Sequence, residues 1–419
     1  MRRSRGSRLM SAGLLALVAL SGCGSSGSSP ASTAAVTGTS QGPQQIVDAL
    51  VSSGGLVGVA AVVVTPGADG KAQVSYYNAG SSSVGGIPVT QQTAFEIGSL
   101  TKVFTADLLA TLVAQGKISL SDPLQKYAPA GITVPTFTGA DGAAVPITIG
   151  NLATHQAGLP DLPANAFAGC PSGTTSPTQC TDFYALYTRD MLWQGLAQTK
   201  LLSQPGTDWV YSNFGFGLLG TVLADLVQPG QGSPPYQAVL QSEVLSRLPM
   251  PNTAVETSGQ TLATGYALNG SQPVAQAQFV DTNALAGAGG LVSTTTDLGV
   301  WLQAHLGYPV GTGANADQPL QQTLQLVDTA DTVCSQQNPS QCTTQAPAAP
   351  QQMGLAWQLS PPVGEITQNW ATKDGGTYGF NAQAFLAPGA KTGVVLLGNT
   401  VTAQQMQPQA VQLLVDALG

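Results

Sequence analysis

The 419-residue chain is long enough for one large catalytic domain or two ordinary ones, and at 43% hydrophobic residues it can bury a full core. Only 8% of its residues are charged and the net charge is −8, so it lacks the clustered Lys and Arg of a nucleic-acid-binding surface. Four of the 13 basic residues (Arg2, Arg3, Arg5 and Arg8) lie in a leader without acids; the remainder sets nine bases against 21 acids, −12, which gives no general steering of anionic substrates.

Residues 1–22, "MRRSRGSRLMSAGLLALVALSG", combine a basic start, a short apolar run and a small-residue end. That is the pattern of a secretory signal peptide, and the run is too short for a stable membrane span. It closes on Leu20-Ser21-Gly22-Cys23, which resembles a bacterial lipobox. Cys23 is therefore expected to be the lipidated first residue of an exported lipoprotein on the envelope side of a membrane; ordinary cleavage beside an incidental Cys is the alternative. Residues 23–42 then form the lipid-bearing Cys and a flexible Gly/Ser/Thr tether. The tether contains Gly38-Thr39-Ser40-Gln41-Gly42, a formal G-x-S-x-G. A nucleophile elbow needs a strand before that serine and a helix after it, so the match is read as chance.

Residues 43–419 are expected to form the catalytic domain. "PQQIVDALVSSG" reads as a short helix, and "GLVGVAAVVVTPG" with "AQVSYYNAG" as the strands of a hairpin. "SLTKVFTADLLATLVAQGK" has the apolar spacing of a buried helix ending near Gly116. From about 120 to 296 the chain mixes helical segments with Pro/Gly-rich loops, a mainly helical insertion. "STTTDLGVWLQAHLG" reads as a helix capped by Ser293 or Thr294. Strands return in "MGLAWQLS", "NAQAFLAP" and "TGVVLLGN", and the chain closes on the helix "AQQMQPQAVQLLVDALG". The two ends thus build a sheet with helices on it, an α+β (mixed α/β) arrangement.

Apart from Cys23, the cysteines fall in two close pairs in an oxidising compartment. Cys170–Cys180 and Cys334–Cys342 are the expected disulfides, one of the three connectivities that four cysteines allow. Metal binding is the weaker reading, because there is no CxxC and His155 and His305 are the only histidines.

Ser99-Leu100-Thr101-Lys102 is an S-x-x-K pair at the start of a helix. Spacing i, i+3 sets the two side chains on one face, about 5–6 Å apart at Cβ. A lysine in an apolar run needs a reason for burial, and beside a serine it can take or relay the hydroxyl proton. Tyr211-Ser212-Asn213 follows "SQPGTDW" and opens a helix, so Tyr211 can shuttle protons and the Asn213 amide can orient substrate and lysine. A second Y-x-N, Tyr76-Tyr77-Asn78, lies within an alternating strand where Tyr is simply a good strand residue.

Taken in order, "FEIGSLTKVFTA", "ITIGNLATHQAGLP", "YSNFGFGLLG", "GAGGLVSTTTDL" and "KDGGTYGF" resemble the class C β-lactamases and the related DD-peptidases and esterases, over about residues 45–417. "LQKYAPAGITVP" before "ITIGNLATHQAGLP" is most similar to the carboxypeptidase/endopeptidase branch. The resemblance implies a β-lactamase/transpeptidase-like fold, an antiparallel sheet flanked by helices. It also implies Ser99 as nucleophile, Lys102 as its proton partner, Tyr211 as general base and acid, and Asn213 orienting substrate. Lys373 and Gly375 would line the cleft from an edge strand, with Thr377 beside them, and the N–H groups of Ser99 and Gly376 would form the oxyanion hole. No cofactor is implied. His155 is read as packing a helix end, since no aspartate is paired with it in sequence.

The family's third element runs Lys-Thr-Gly, a small residue, then Thr-Gly-Gly-Phe. Lys373-Asp374-Gly375-Gly376 fits that frame, whereas Lys391-Thr392-Gly393 lies in a turn between two strands and is read as a decoy. Asp374 departs from the hydroxyl residue that, by the resemblance, helps hold a substrate carboxylate. An ionised Asp there opposes that carboxylate and partly cancels Lys373. Nor does "GNTVTAQQMQ" offer an arginine for it. The sequence therefore points to an acyl-enzyme serine hydrolase acting on D-alanyl peptides or β-lactams, small-molecule or peptidoglycan-type substrates. A carboxylesterase of the same fold is the alternative, and a non-catalytic penicillin-fold sensor a further one.

Overall fold

The computed structural model describes residues 42–419 apart from 54, 177–178, 182, 229–234, 256–260, 311–317, 326–327, 331, 335–341, 344–350 and 402. The signal segment, Cys23 and nearly all of the tether lie outside the described residues.

Helix α1 (Pro43–Ser52) leads into β1 (Gly58–Pro66) and β2 (Ala72–Gly80), which pair as the expected hairpin. β1 is a continuous run of buried apolar residues because both its faces are covered. Val59, Ala61 and Val63 meet α1 and the C-terminal helix on one side, while Ala60, Val62 and Val64 meet the main core on the other. The chain then passes through the short β3 (Ala94–Glu96) into α2 (Thr101–Ala114). Every residue of α2 from Thr101 to Leu112 is buried, so the helix runs through the core with no solvent face.

The stretch 120–296 adds helices, among them α3 (Asn213–Val227) and the one-turn α4 (Ala286–Gly289), and two small hairpins. After β4 (Val292–Thr294), which pairs with β3, comes α5 (Thr295–His305). Its N-cap is Thr294, whose hydroxyl accepts from Asp297 N; Ser293 stays in the strand. The sheet is completed by β5 (Asp328–Ala330), β6 (Gln351–Met353), β7 (Gln358–Ser360), β8 (Trp370–Gly376), β9 (Asn381–Ala387) and β10 (Thr392–Gly398). Its order is β5-β6-β7-β8-β9-β10-β1-β2, and each neighbouring pair is antiparallel. α6 (Ala403–Leu418) packs beside α1 over the outer face.

Two local expectations change. "MGLAWQLS" is two strands rather than one, because the chain bends at 354–356 and Ala356 adopts φ 63°. β8 is not an edge strand over its whole length. Trp370–Thr372 pairs with β7, and only Lys373–Gly376 lacks a ladder partner on that side, since β7 begins at Gln358, opposite Thr372. The structure joins Cys170 to Cys180. Cys334 and Cys342 stand opposite each other in backbone register, and their side chains lie outside the described set. Among the described residues no helix is long and apolar enough to cross a membrane.

Candidate active site

Ser99 lies in the single 3₁₀ turn Gly98–Leu100 that joins β3 to α2. Two glycines allow this turn to press against the end of β8. Gly98 has φ 49°, and a Cβ there would meet Gly376 O at 2.5 Å; a Cβ on Gly375 would meet Ile97 O at 2.0 Å. Only residues without a side chain tolerate that approach.

One helical turn on, Lys102 is 0% exposed. Burial of an ammonium requires partners. Lys102 Nζ donates to Asn213 Oδ1 at 2.6 Å, to the Ala288 carbonyl at the end of α4 at 2.7 Å, and to Ser99 Oγ at 3.0 Å. It also lies 4.8 Å from the centre of the Tyr211 ring. The Tyr211 hydroxyl donates to the same Ser99 Oγ at 2.5 Å. Tyr211 and Asn213 come together at Ser99 because Ser212 caps α3, its hydroxyl accepting from Gly215 N at 2.9 Å. The cap leaves the residues on either side of Ser212 facing the start of α2.

The end of β8 supplies a third wall. Lys373 Nζ sits 5.6 Å from the Tyr211 ring centre, on the same ring that Lys102 approaches. It donates to Asp374 O at 2.6 Å and to Asp374 Oδ1 at 3.1 Å. Lys373 is nearly enclosed at 5% exposure, whereas the Asp374 side chain is 42% exposed. Partial burial acts to raise the Asp374 pKa, but the charge and hydrogen bond of Lys373 outweigh it and hold the carboxyl below its ordinary range. Gly376 is exposed at the strand end. Thr377 is turned the other way: it is buried, and its hydroxyl donates to Glu96 Oε2 at 2.6 Å. Its side chain therefore braces the wall from inside rather than meeting a ligand.

The decoys stay apart from this group. Lys391 takes a left-handed turn (φ 51°) before β10, and Tyr76-Tyr77-Asn78 runs along β2.

Two partners of the site are invisible to motif reading. Asp161 accepts from Asn213 N at 3.2 Å and Nδ2 at 2.8 Å. Burial raises its pKa, against the pull of the Asn213 N–H and the Lys102 charge. Its signal in sequence is slight, an acid closing the apolar run "GLPD". Glu96 is clearer in retrospect, a lone acid between Phe95 and Ile97, where an unpaired carboxyl is rarely buried.

Glu96 also accepts from Phe279 N at 2.9 Å. Burial, only partly offset by its bonds to Thr377 and Phe279, lifts its pKa from 4.5 to about 7. A folded-state pKa above the unfolded one gives stability that is whole below about pH 4.5 and lost as pH rises through about 7. Glu96→Gln keeps an acceptor for Phe279 and a donor toward Thr377, so it mimics the protonated acid. The stability gap between wild type and variant is expected to change by about 3 kcal/mol between pH 4.5 and 8, in the variant's favour. Urea unfolding at several pH values measures it; parallel stability curves would refute the assignment.

A family model described as Beta-lactamase matches residues 43–418. A D-alanyl-D-alanine-carboxypeptidase/endopeptidase AmpH of Escherichia coli (strain K12) is 34% identical over 211 residues, 50% of this chain and 48% of that protein. The chain thus spans about half the length of that relative. A beta-lactamase of Pseudomonas fluorescens is 27% identical over 392 residues, covering 85% of this chain and 93% of its own. Among solved structures, a beta-lactamase/D-alanine carboxypeptidase from Yersinia pestis complexed with citrate superposes with TM-score 0.69 and 25% identity, over 90% of this chain and 99% of that one. A class C beta lactamase from Rhodobacter sphaeroides does so with TM-score 0.65 and 21% identity, over 90% and 99%.

Proposed function

The chain belongs to the beta-lactamase family, and from that premise we propose that it is a serine hydrolase working through an acyl-enzyme on Ser99. The observation that carries this is Ser99 Oγ held between Lys102 Nζ at 3.0 Å and Tyr211 OH at 2.5 Å. A hydroxyl touching two titratable groups can lose its proton as it attacks, and the leaving group can take one back.

In the proposed reaction Ser99 Oγ attacks the substrate carbonyl, and its proton passes to the Lys102/Tyr211 pair. The oxyanion forms against the N–H groups of Ser99 and Gly376, a pairing supported by how closely the Ser99 turn and the end of β8 approach at Gly98 and Gly375. The same pair protonates the leaving group. Water then attacks the ester carbonyl, giving a proton to the pair, which returns one to Ser99 Oγ as the acid leaves. Asn213 ties Lys102 to the substrate side of the cleft.

For substrates we propose D-alanyl peptides or β-lactams, supported by the relatives named for D-alanyl-D-alanine carboxypeptidase/endopeptidase and beta-lactamase activity. Esters are the second reading, favoured by one observation: Asp374 engages Lys373 in an ion pair. A lysine so occupied has less attraction left for a substrate carboxylate, and the exposed Asp374 repels one. Asp374→Thr is accordingly expected to raise kcat/KM on carboxylate-bearing substrates about tenfold while leaving a neutral nitrophenyl ester within about twofold. Equal effects on both substrate classes would sink the charge argument. Export and lipid attachment at Cys23 belong to the same proposal, supported by residues 1–23; the intact mass of membrane-fraction protein is the readout, and an unmodified cysteine there would rule it out.

A further inference from the structure

After the short helix Ile149–Ala153 the chain runs His155-Gln156-Ala157-Gly158-Leu159-Pro160-Asp161 and lies along the Tyr211-Ser212-Asn213 segment. Its first and last residues hold that segment at both ends. The His155 carbonyl accepts from Val210 N at 2.8 Å, and its Nδ1 accepts from Ser212 N at 3.0 Å. One residue therefore grips the N–H groups on either side of Tyr211. The imidazole also covers the Tyr211 ring, centroids 4.5 Å apart and planes 29° from parallel. At the other end the Asp161 carbonyl accepts from Phe214 N at 2.8 Å, and Asp161 Oδ1 accepts from both nitrogens of Asn213.

The chemistry of these groups leaves little choice of orientation. An imidazole that accepts at Nδ1 must be neutral, with its proton on Nε2. Burial, then the nearby Lys102 and Lys373 charges, drive the His155 pKa well below its ordinary value, so that form holds. His155 keeps this pose at φ 60°, a left-handed backbone uncommon outside glycine. A side-chain amide has two faces of nearly equal shape, and a carboxylate accepts but does not donate. With Asp161 on the Nδ2 face, Asn213 can present only Oδ1 to Lys102, at 2.6 Å.

We propose that His155 and Asp161 are positioning residues for the reaction proposed above: His155 sets where Tyr211 presents its hydroxyl, and Asp161 sets which face of the Asn213 amide meets Lys102. This rests on the acyl-enzyme reading of Ser99. The titratable groups facing the pair are Lys102 from α2, Lys373 from β8 and Tyr211 itself.

The test is the rate of Ser99 labelling by a fluorophosphonate, together with kcat and KM on a short-chain nitrophenyl ester, from pH 5 to 10. Asp161→Ala and His155→Phe are expected to slow labelling and kcat about 10- to 100-fold, with KM within about threefold, and to shift the midpoint of the pH profile. His155→Asn supplies an acceptor and tolerates the left-handed backbone, so it should recover most of the rate. Folded variants with wild-type rates and an unmoved pH profile would overturn the proposal. So would a His155→Asn that fares no better than His155→Phe. Should the variants not fold, exchange of the Ser212 amide hydrogen in the wild-type protein decides: strong protection is required, and exchange at the rate of an open loop refutes the grip. If wild-type protein is not labelled at Ser99, it is the acyl-enzyme reading that fails, and Ser212 protection still tests the grip alone.

Discussion

Ser99→Ala is expected to abolish hydrolysis, with kcat falling about 10⁴- to 10⁶-fold on whichever substrate the wild type turns over. The size follows from chemistry rather than from contact loss. Without Oγ there is no acyl-enzyme, and Lys102 and Tyr211 are left to activate water against an unaltered pair of N–H donors. The fold should scarcely notice. Ser99 is partly exposed, and Lys102 keeps its bonds to Asn213 Oδ1 and Ala288 O. The melting temperature is therefore expected within about two degrees of wild type, which separates a chemical defect from an unfolded enzyme. Soluble protein (residues 43–419) assayed on a chromogenic cephalosporin, a nitrophenyl ester and a D-Ala-D-Ala peptide supplies the measurement. Wild-type turnover that survives unchanged in Ser99→Ala would end the acyl-enzyme proposal.

The second large effect is on stability. Asp107, on α2 beyond Lys102, and His305, at the end of α5, are both wholly buried, with His305 Nε2 3.0 Å from Asp107 Oδ1. The other carboxylate oxygen accepts from Trp301 Nε1 at 3.0 Å. His305 Nδ1 lies 3.0 Å from the Trp301 carbonyl, which can only accept, so that nitrogen carries a hydrogen. The cluster locks α2, which carries Lys102, to α5 through residues 198 apart in sequence. Removing one partner from such a pair strands the other in an apolar core, where Trp301 stacks on Phe104 and Trp357. His305→Ala and Asp107→Ala are each expected to cost about 3–5 kcal/mol of unfolding free energy, read from urea denaturation. The double variant should cost less than the sum of the two, because the second change removes a group already stranded. Single losses below about 1 kcal/mol would show that the pair does not carry the junction.

Much of the site could be read in sequence because its motifs are local. Ser99 and Lys102 share a helix face through i, i+3 spacing, and Tyr211 and Asn213 flank a capping serine, so short-range geometry pre-aligns each pair. The choice of Lys373 over Lys391 was open to the same reasoning, since Lys-Thr-Gly at 391–393 straddles a turn. The hairpin at the start, the returning strands and the closing helix were legible for a similar reason: each has its own hydrophobic period. Thr377 was not. Two consecutive glycines before it gave no indication that its hydroxyl would turn inward to Glu96, 281 residues away.

The sequence by itself singled out the candidate site residues and their local frame, because Ser99, Lys102 and Tyr211 sit in short motifs whose geometry follows from helix periodicity and capping. Only the tertiary structure decided what the buried polar groups lean on. Lys102 needs acceptors from α3 and α4, Asn213 needs Asp161, Asp107 needs His305, and Lys373 is engaged by its own neighbour. Burying a charge is costly wherever it occurs, and the chain meets that cost with whatever partner folding brings near, at separations that no local pattern encodes.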